Sequence, residues 1–105
     1  MILSIGEILA DMIGEEQNGV TAFKMYGGGA PFNVAVNAKN AGAKAGFIGR
    51  VGRDLVGKFL KGFAAGAGLD FCGIQEDETR NTTLAFVTLK GGERDFAFFR
   101  HDTAD

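Results

Sequence analysis

The chain has 105 residues, 46% hydrophobic and 23% charged, which allows one modest core and excludes disorder. Eleven Lys and Arg against thirteen Asp and Glu leave a net charge of −2 and no basic run, so nucleic acid is not an expected partner. A single cysteine, Cys72, rules out an internal disulfide and suits a reducing cytoplasm, and no apolar run approaches the length needed to cross a bilayer.

Ile2, Leu3 and Ile5, closed by Gly6, read as a short strand of a parallel sheet with both faces buried. From Leu9 the pattern alternates, placing Leu9, Asp11 and Ile13 on one face and Ala10 and Met12 on the other. Asn18-Gly19 marks a turn, and Val20 to Tyr26 reads as the next strand. Three glycines, Gly27 to Gly29, lead into a helix expected from about Ala30 to Ala41. Pro31 suits its start and Gly42 its left-handed stop. Ala45 to Val51 returns to strand. Asp54 is a good N-cap for a second helix, with Leu55, Val56, Phe59, Leu60, Phe63 and Ala64 at helical spacing and a stop at Gly66 and Gly68. Thr82 to Leu89 and Arg94 to Phe99 read as a hairpin around Gly91-Gly92, in a register that sets Val87 against Phe96, Ala85 against Phe98 and Thr83 against Arg100. The order predicts an α/β domain with a small β-rich appendage.

Two apparent phosphate motifs fail on their neighbours. Gly52 to Lys58 has P-loop spacing, but Phe59 stands where a hydroxyl must hold magnesium, and Asp54 would set a carboxylate beside phosphates. Gly66 to Asp70 lies at a helix C-terminus, where the dipole repels anions. The glycines before the first helix differ from both, because they bring backbone close to a positive helix end. Their spacing is not that of a dinucleotide fingerprint, since Phe32 occupies the last glycine's place, so NAD is a remote reading. Asn33, in the first turn, offers a donor and an acceptor of the kind a sugar hydroxyl uses. Glycines that only form a turn account for the spacing equally well. Asp11 interrupts the apolar stretch Ile8 to Ile13, so it faces water, a partner or a ligand; a solvated acid and a carboxylate gripping sugar hydroxyls both fit. His101, alone near the chain end, reads as a surface residue.

Asp11, the run Gly28-Gly29-Ala30-Pro31-Phe32-Asn33-Val34-Ala35, Gly42, Gly49, Gly52, Asp54 and Gly57 together resemble the N-terminal part of PfkB-type, ribokinase-like carbohydrate kinases. Within them the chain is most similar to fructokinases and 2-keto-3-deoxygluconate kinases, which share the Gly-Gly-Ala-Pro-x-Asn wording, and Asn81 to Val87 and Phe98 to Arg100 resemble the same branch.

The resemblance implies part of a three-layer α/β sandwich with a small β-sheet lid, formed by strands within about residues 9–26 and 82–99. It implies ATP-dependent phosphorylation of a sugar hydroxyl, with Asp11, Gly28, Gly29 and Asn33 around the sugar and Phe98 and Arg100 reaching it from the lid. Arg100 suits an acidic sugar such as a keto-deoxy acid or the hydroxyls of a neutral one. Lids of this kind often pair between subunits, and both faces of the expected hairpin are apolar, so a homodimer is expected. Family members run to roughly three times this length, beyond a single small core. Their catalytic aspartate, nucleotide pocket and the acids that organise Mg2+ have no counterpart in these residues. The expectation is therefore a sugar-binding segment with no catalytic residue and no metal ligand of its own, active only within a longer polypeptide. A non-catalytic module that self-associates through the hairpin is the competing reading.

Overall fold

The computed structural model describes residues 1–90, with the side chain of Lys90 excepted, and residues 93–105. The elements run β1 (Ile2–Ile5), β2 (Leu9–Gln17), β3 (Val20–Gly28), α1 (Ala30–Asn40), β4 (Ala45–Gly52), α2 (Leu55–Ala65), β5 (Phe71–Asp77), β6 (Leu84–Lys90) and β7 (Glu93–Phe99). They form two sheets. The first is parallel, in the order β1-β4-β5, and the second is mixed, in the order β3-β2-β6-β7.

The core gathers where α1 and α2 meet β4 and the start of β2. Phe32 on α1 packs edge-on against Phe47 on β4, with ring centroids 5.3 Å apart, and Ile8, Ala10, Ala35, Val51, Leu60 and Ala64 complete the cluster. Such aromatic pairs add about 0.5–1.5 kcal/mol to the burial of their area. Because Ile8 and Ala10 belong to the run that enters the second sheet, this one cluster holds both sheets. On the second sheet, Phe23, Phe86 and Phe99 form an edge-to-face row across three strands, at 5.2 and 5.3 Å. Phe23 lies over Gly14, where any side chain would collide with its ring.

The elements follow the expected order with one strand added, β5, and with local differences elsewhere. The sequence reading left out β5, because Gln75, Glu76 and Asp77 give it a polar end and Phe71 and Cys72 stand exposed. What makes it a strand is the parallel ladder to β4, from Gly46–Phe71 to Gly52–Asp77. β1 is parallel as expected; within this segment it is the outermost strand of its sheet, with Leu3 and Ile5 46% and 67% exposed. Leu55, assigned to the apolar face of α2, points to solvent at 80% exposure. In the hairpin the expected pairs Val87–Phe96 and Ala85–Phe98 form, and the ladder ends at Leu84–Phe99, short of Thr83 and Arg100. The expected Gly91-Gly92 loop lies outside the described residues.

Asp54 ties the layers together. Its carboxylate accepts from the Gly57 amide at 2.7 Å, as an N-cap should, and from the Thr82 amide and hydroxyl at 2.9 and 2.7 Å. The Thr82 hydroxyl in turn accepts from the Gly52 amide at 2.9 Å. Thus the end of β4, the start of α2 and the approach to β6 meet on one side chain. Gly57 must be glycine here, since a Cβ would strike the Gly52 carbonyl oxygen.

A second acid, Asp77, closes β5. It accepts from the amides of Thr79 and Arg80, both at 2.9 Å, and from the Thr79 hydroxyl, while Arg50 bridges its other oxygen at 3.2 Å. The Thr79 and Arg80 amides hold its carboxyl far below the usual carboxylate range. For Asp54, the Thr82 and Gly57 donors outweigh an opposing desolvation and also lower the value.

Replacing Asp54 with Ala is expected to lower unfolding free energy by about 2 kcal/mol, the upper end for a cap, because the Thr82 donors lose their acceptor as well. Equilibrium urea unfolding checks this. Both depressed acids contribute stability that is complete above the ordinary carboxylate range and is lost as pH falls through their lowered values. Melting temperature should therefore hold down to about pH 5 and fall below about pH 4, and Asp77→Asn should lower the plateau and flatten the acid limb.

Candidate functional site

The front of α1 is fastened to the carboxyl end of β1 by three contacts. The Ser4 hydroxyl donates to the Pro31 carbonyl at 2.6 Å, Gly6 lies against the Pro31 ring, and Gly29 lies against the backbone of Glu7. Gly29 is the N-cap, at φ +103°, with no side-chain cap bond; a Cβ there would come within 2.8 Å of the Glu7 carbonyl oxygen, so both the conformation and the contact require glycine. Pro31 brings no amide and the Asn33 amide returns to the Gly29 carbonyl at 2.9 Å, which leaves the Ala30 and Phe32 amides as the orphan donors of the first turn. In open α/β sheets, ligands collect at this end of the strands.

Asp11 reaches this place from the neighbouring sheet. On β2 it stands opposite Tyr26 of β3 and Ala85 of β6, and its carboxylate hangs over Gly28 so closely that a Cβ on Gly28 would collide with Asp11 Oδ2. The carboxylate is half-buried, and burial pushes its pKa up, with no hydrogen bond among the described residues to offset that. A carboxylate left in this condition costs stability, unlike Asp54 and Asp77, whose donors are all within the fold.

Phe98 lies in the same row of the sheet, since Asp11 pairs with Ala85 and Ala85 with Phe98. Ala85, the smallest of the three, is buried at 4% exposure between the acid and the aromatic ring. The Arg100 guanidinium stacks over Phe98 at 4.4 Å from the ring centroid and also lines a hollow with Glu7, Asp102, Thr103 and Asp105. The neighbours therefore close a circuit from Asp11 through Gly28 and Gly29 to Glu7, across the hollow to Arg100, and back through Phe98 and Ala85.

Asn33 is not on that circuit. It is exposed on α1 and lines a groove between the two helices with Gly27, Phe32, Val36 and Phe63. Glu7 was missed by the sequence reading. Its signal was an acid between Gly6, at the end of a strand, and the buried Ile8, a position where a carboxylate needs a reason to be. His101 is exposed, as expected of a surface residue. Gly52 to Lys58 offers phosphates nothing, because the Asp54 carboxylate already occupies the amide end of α2. Among the described residues no three acids, histidines or cysteines gather as metal ligands.

Comparison with known proteins bears on what this circuit belongs to. Over its full length the chain is 42% identical to "Probable fructokinase-7" of Arabidopsis thaliana, of which it covers 32%. Its fold superposes on fructokinase with bound ATP from Xylella fastidiosa with a TM-score of 0.86 and 42% identity, covering 99% of this chain and 34% of that one. An uncharacterized sugar kinase from Pyrococcus horikoshii in complex with ATP gives 0.82 and 37%, covering 99% of this chain and 35% of that one. The chain thus spans about a third of the length of the relatives it matches. Residues 1–105 match the pfkB family of carbohydrate kinases throughout, and the chain belongs to that family.

Proposed function

We propose that residues 1–105 form the sugar-binding part of a fructokinase-like kinase that transfers phosphate from ATP to a sugar hydroxyl. The observation that carries this reading is Asp11, a half-buried carboxylate held over Gly28 at the mouth of α1 with its acceptor capacity unused. Two adjacent hydroxyls of a sugar would supply the donors it lacks, through charge-assisted bonds roughly twice as strong as neutral ones. The amides at the start of α1 would donate to other sugar oxygens, and Asn33 would join if the sugar reached over the helix end. Phe98 offers a flat apolar face, and Arg100, stacked on it, offers donors.

The second sheet would act as the lid, closing over the sugar and excluding water, so that ATP is not spent on hydrolysis. ATP supplies the phosphoryl group and Mg2+ its charge neutralisation. The Gly52 to Lys58 run does not suit phosphates, since the Asp54 carboxylate occupies its amide end, and both groups would be held by the remaining two thirds of a relative-sized polypeptide. A reducing cytoplasm suits this activity and the unpaired Cys72. We also infer a homodimer through the second sheet, supported by Phe96, Phe98 and Phe99, each more than half exposed on β7.

In the full-length enzyme, Asp11→Asn should raise the sugar KM by the equivalent of about 1.5–3 kcal/mol and leave ATP affinity alone, and Asn33→Ala, off the Asp11 circuit, should raise it by less. Gly28→Ala should reproduce the Asp11 defect, because its methyl group displaces the carboxylate. Unchanged sugar kinetics in Asp11→Asn would remove that residue from the site. Without sugar the sign reverses. Since the Asp11 pKa is raised, its charged form costs stability near neutrality and the cost is relieved as pH falls through the raised value, so Asp11→Asn should melt higher at pH 7 and the gap should close in acid. For the dimer, sedimentation at tens of micromolar should show a two-chain species that Phe96→Glu converts to monomer; a wild-type monomer would remove the dimer.

A further inference from the structure

Whether the sugar carries a charge is decided by what surrounds Arg100. A guanidinium facing a substrate usually signals a carboxylate or phosphate, but here the hollow it lines also contains Glu7, Asp102 and Asp105. Asp102 is already bridged by Arg80 Nε at 3.0 Å, and the Asp105 carboxylate accepts from the hydroxyls of Thr83 and Thr103. Glu7 and Arg100 enter no ion pair among the described residues, with each other or with anything else. The hollow itself is lined by one guanidinium, Arg100, and three carboxylates, of which Asp102 is bridged from outside it by Arg80.

The hollow also adjoins the mouth of α1, because the Glu7 backbone lies directly against Gly29. A ligand gripped by Asp11 and the α1 amides would therefore present its far end to Glu7 and Arg100 together. An acidic sugar reaching this hollow gains Arg100 but also meets Glu7, which lines the same hollow, and like charges brought together count against binding. A neutral polyol meets no such opposition: each hydroxyl can donate to Glu7 and accept from Arg100.

We propose that Glu7, acting with Arg100, is a specificity-determining residue that selects an uncharged sugar and rejects its carboxylate-bearing counterpart. This rests on the sugar-kinase reading above. Arg100 supplies hydroxyl donors, held in place by the Phe98 ring, and Glu7 supplies the acceptor and the repulsion.

The test is steady-state phosphorylation of D-fructose and of 2-keto-3-deoxygluconate by the full-length polypeptide that carries this segment, as wild type, Glu7→Gln and Glu7→Asp. Wild type should favour fructose in kcat/KM. Glu7→Gln, nearly isosteric and uncharged, should raise the fructose KM about tenfold, improve use of the acidic sugar and so narrow the ratio by at least that factor. Glu7→Asp should weaken fructose binding yet keep the acidic sugar excluded, and melting temperatures of the three proteins should agree closely, which separates a charge effect from a folding defect. An unchanged ratio in Glu7→Gln, or a wild type that prefers the acidic sugar, overturns the proposal. If wild type phosphorylates neither sugar and neither raises its melting temperature, the sugar-site reading fails first and takes this one with it.

Discussion

A single carboxylate holds the layers of this fold in register. Asp54 caps α2 through the Gly57 amide and, with its other bonds, receives the amide and hydroxyl of Thr82, whose oxygen receives the Gly52 amide. Those few ångströms contain the end of a parallel strand, the start of a helix and the entry into the second sheet. Every donor and acceptor in the node is paired inside the protein, which is why the Asp54 pKa is lowered in spite of the desolvation it suffers.

Asp11 is the counterpart with the opposite electrostatics. Both acids are partly removed from water, which by itself raises a carboxyl pKa; the Thr82 and Gly57 donors reverse that at Asp54, and at Asp11 no donor among the described residues offsets it. The fold uses the first acid as a fastener and leaves the second with unused capacity beside the start of α1. Glycine serves both. At Gly57 the absent side chain admits the Gly52 carbonyl, and at Gly28 it admits the Asp11 carboxylate. Equivalent chemistry thus produces a closed joint in one place and an open cradle in the other, and the difference lies in whether a protein donor arrives to fill it.

Much of the architecture was legible because it is local. The Asp54 cap, the stop at Gly42 with φ +98° and the alternation that sends Asp11 and Ile13 to one face depend on residues within a few positions of one another. The register of Val87 with Phe96 followed from loop length alone. β5 was not legible, since an edge strand with a polar end becomes a strand only through the partner ladder on β4.

The same division applies to the candidate site. The order and spacing of Asp11, the run Gly28 to Ala35, Gly42, Gly49, Gly52, Asp54 and Gly57 carried the resemblance to the family, which named Asp11, Gly28, Gly29, Asn33, Phe98 and Arg100 as the residues to consider. Only the tertiary structure decided which of them meet: it put Asp11 on Gly28 and in the row of Phe98, stacked Arg100 on that ring, set Asn33 apart in the groove between the helices and brought in Glu7. Spacing along a chain carries backbone conformation, which is local. The distance between two side chains on different strands depends on how the sheets pair and pack, and that is set by contacts among residues far apart in sequence.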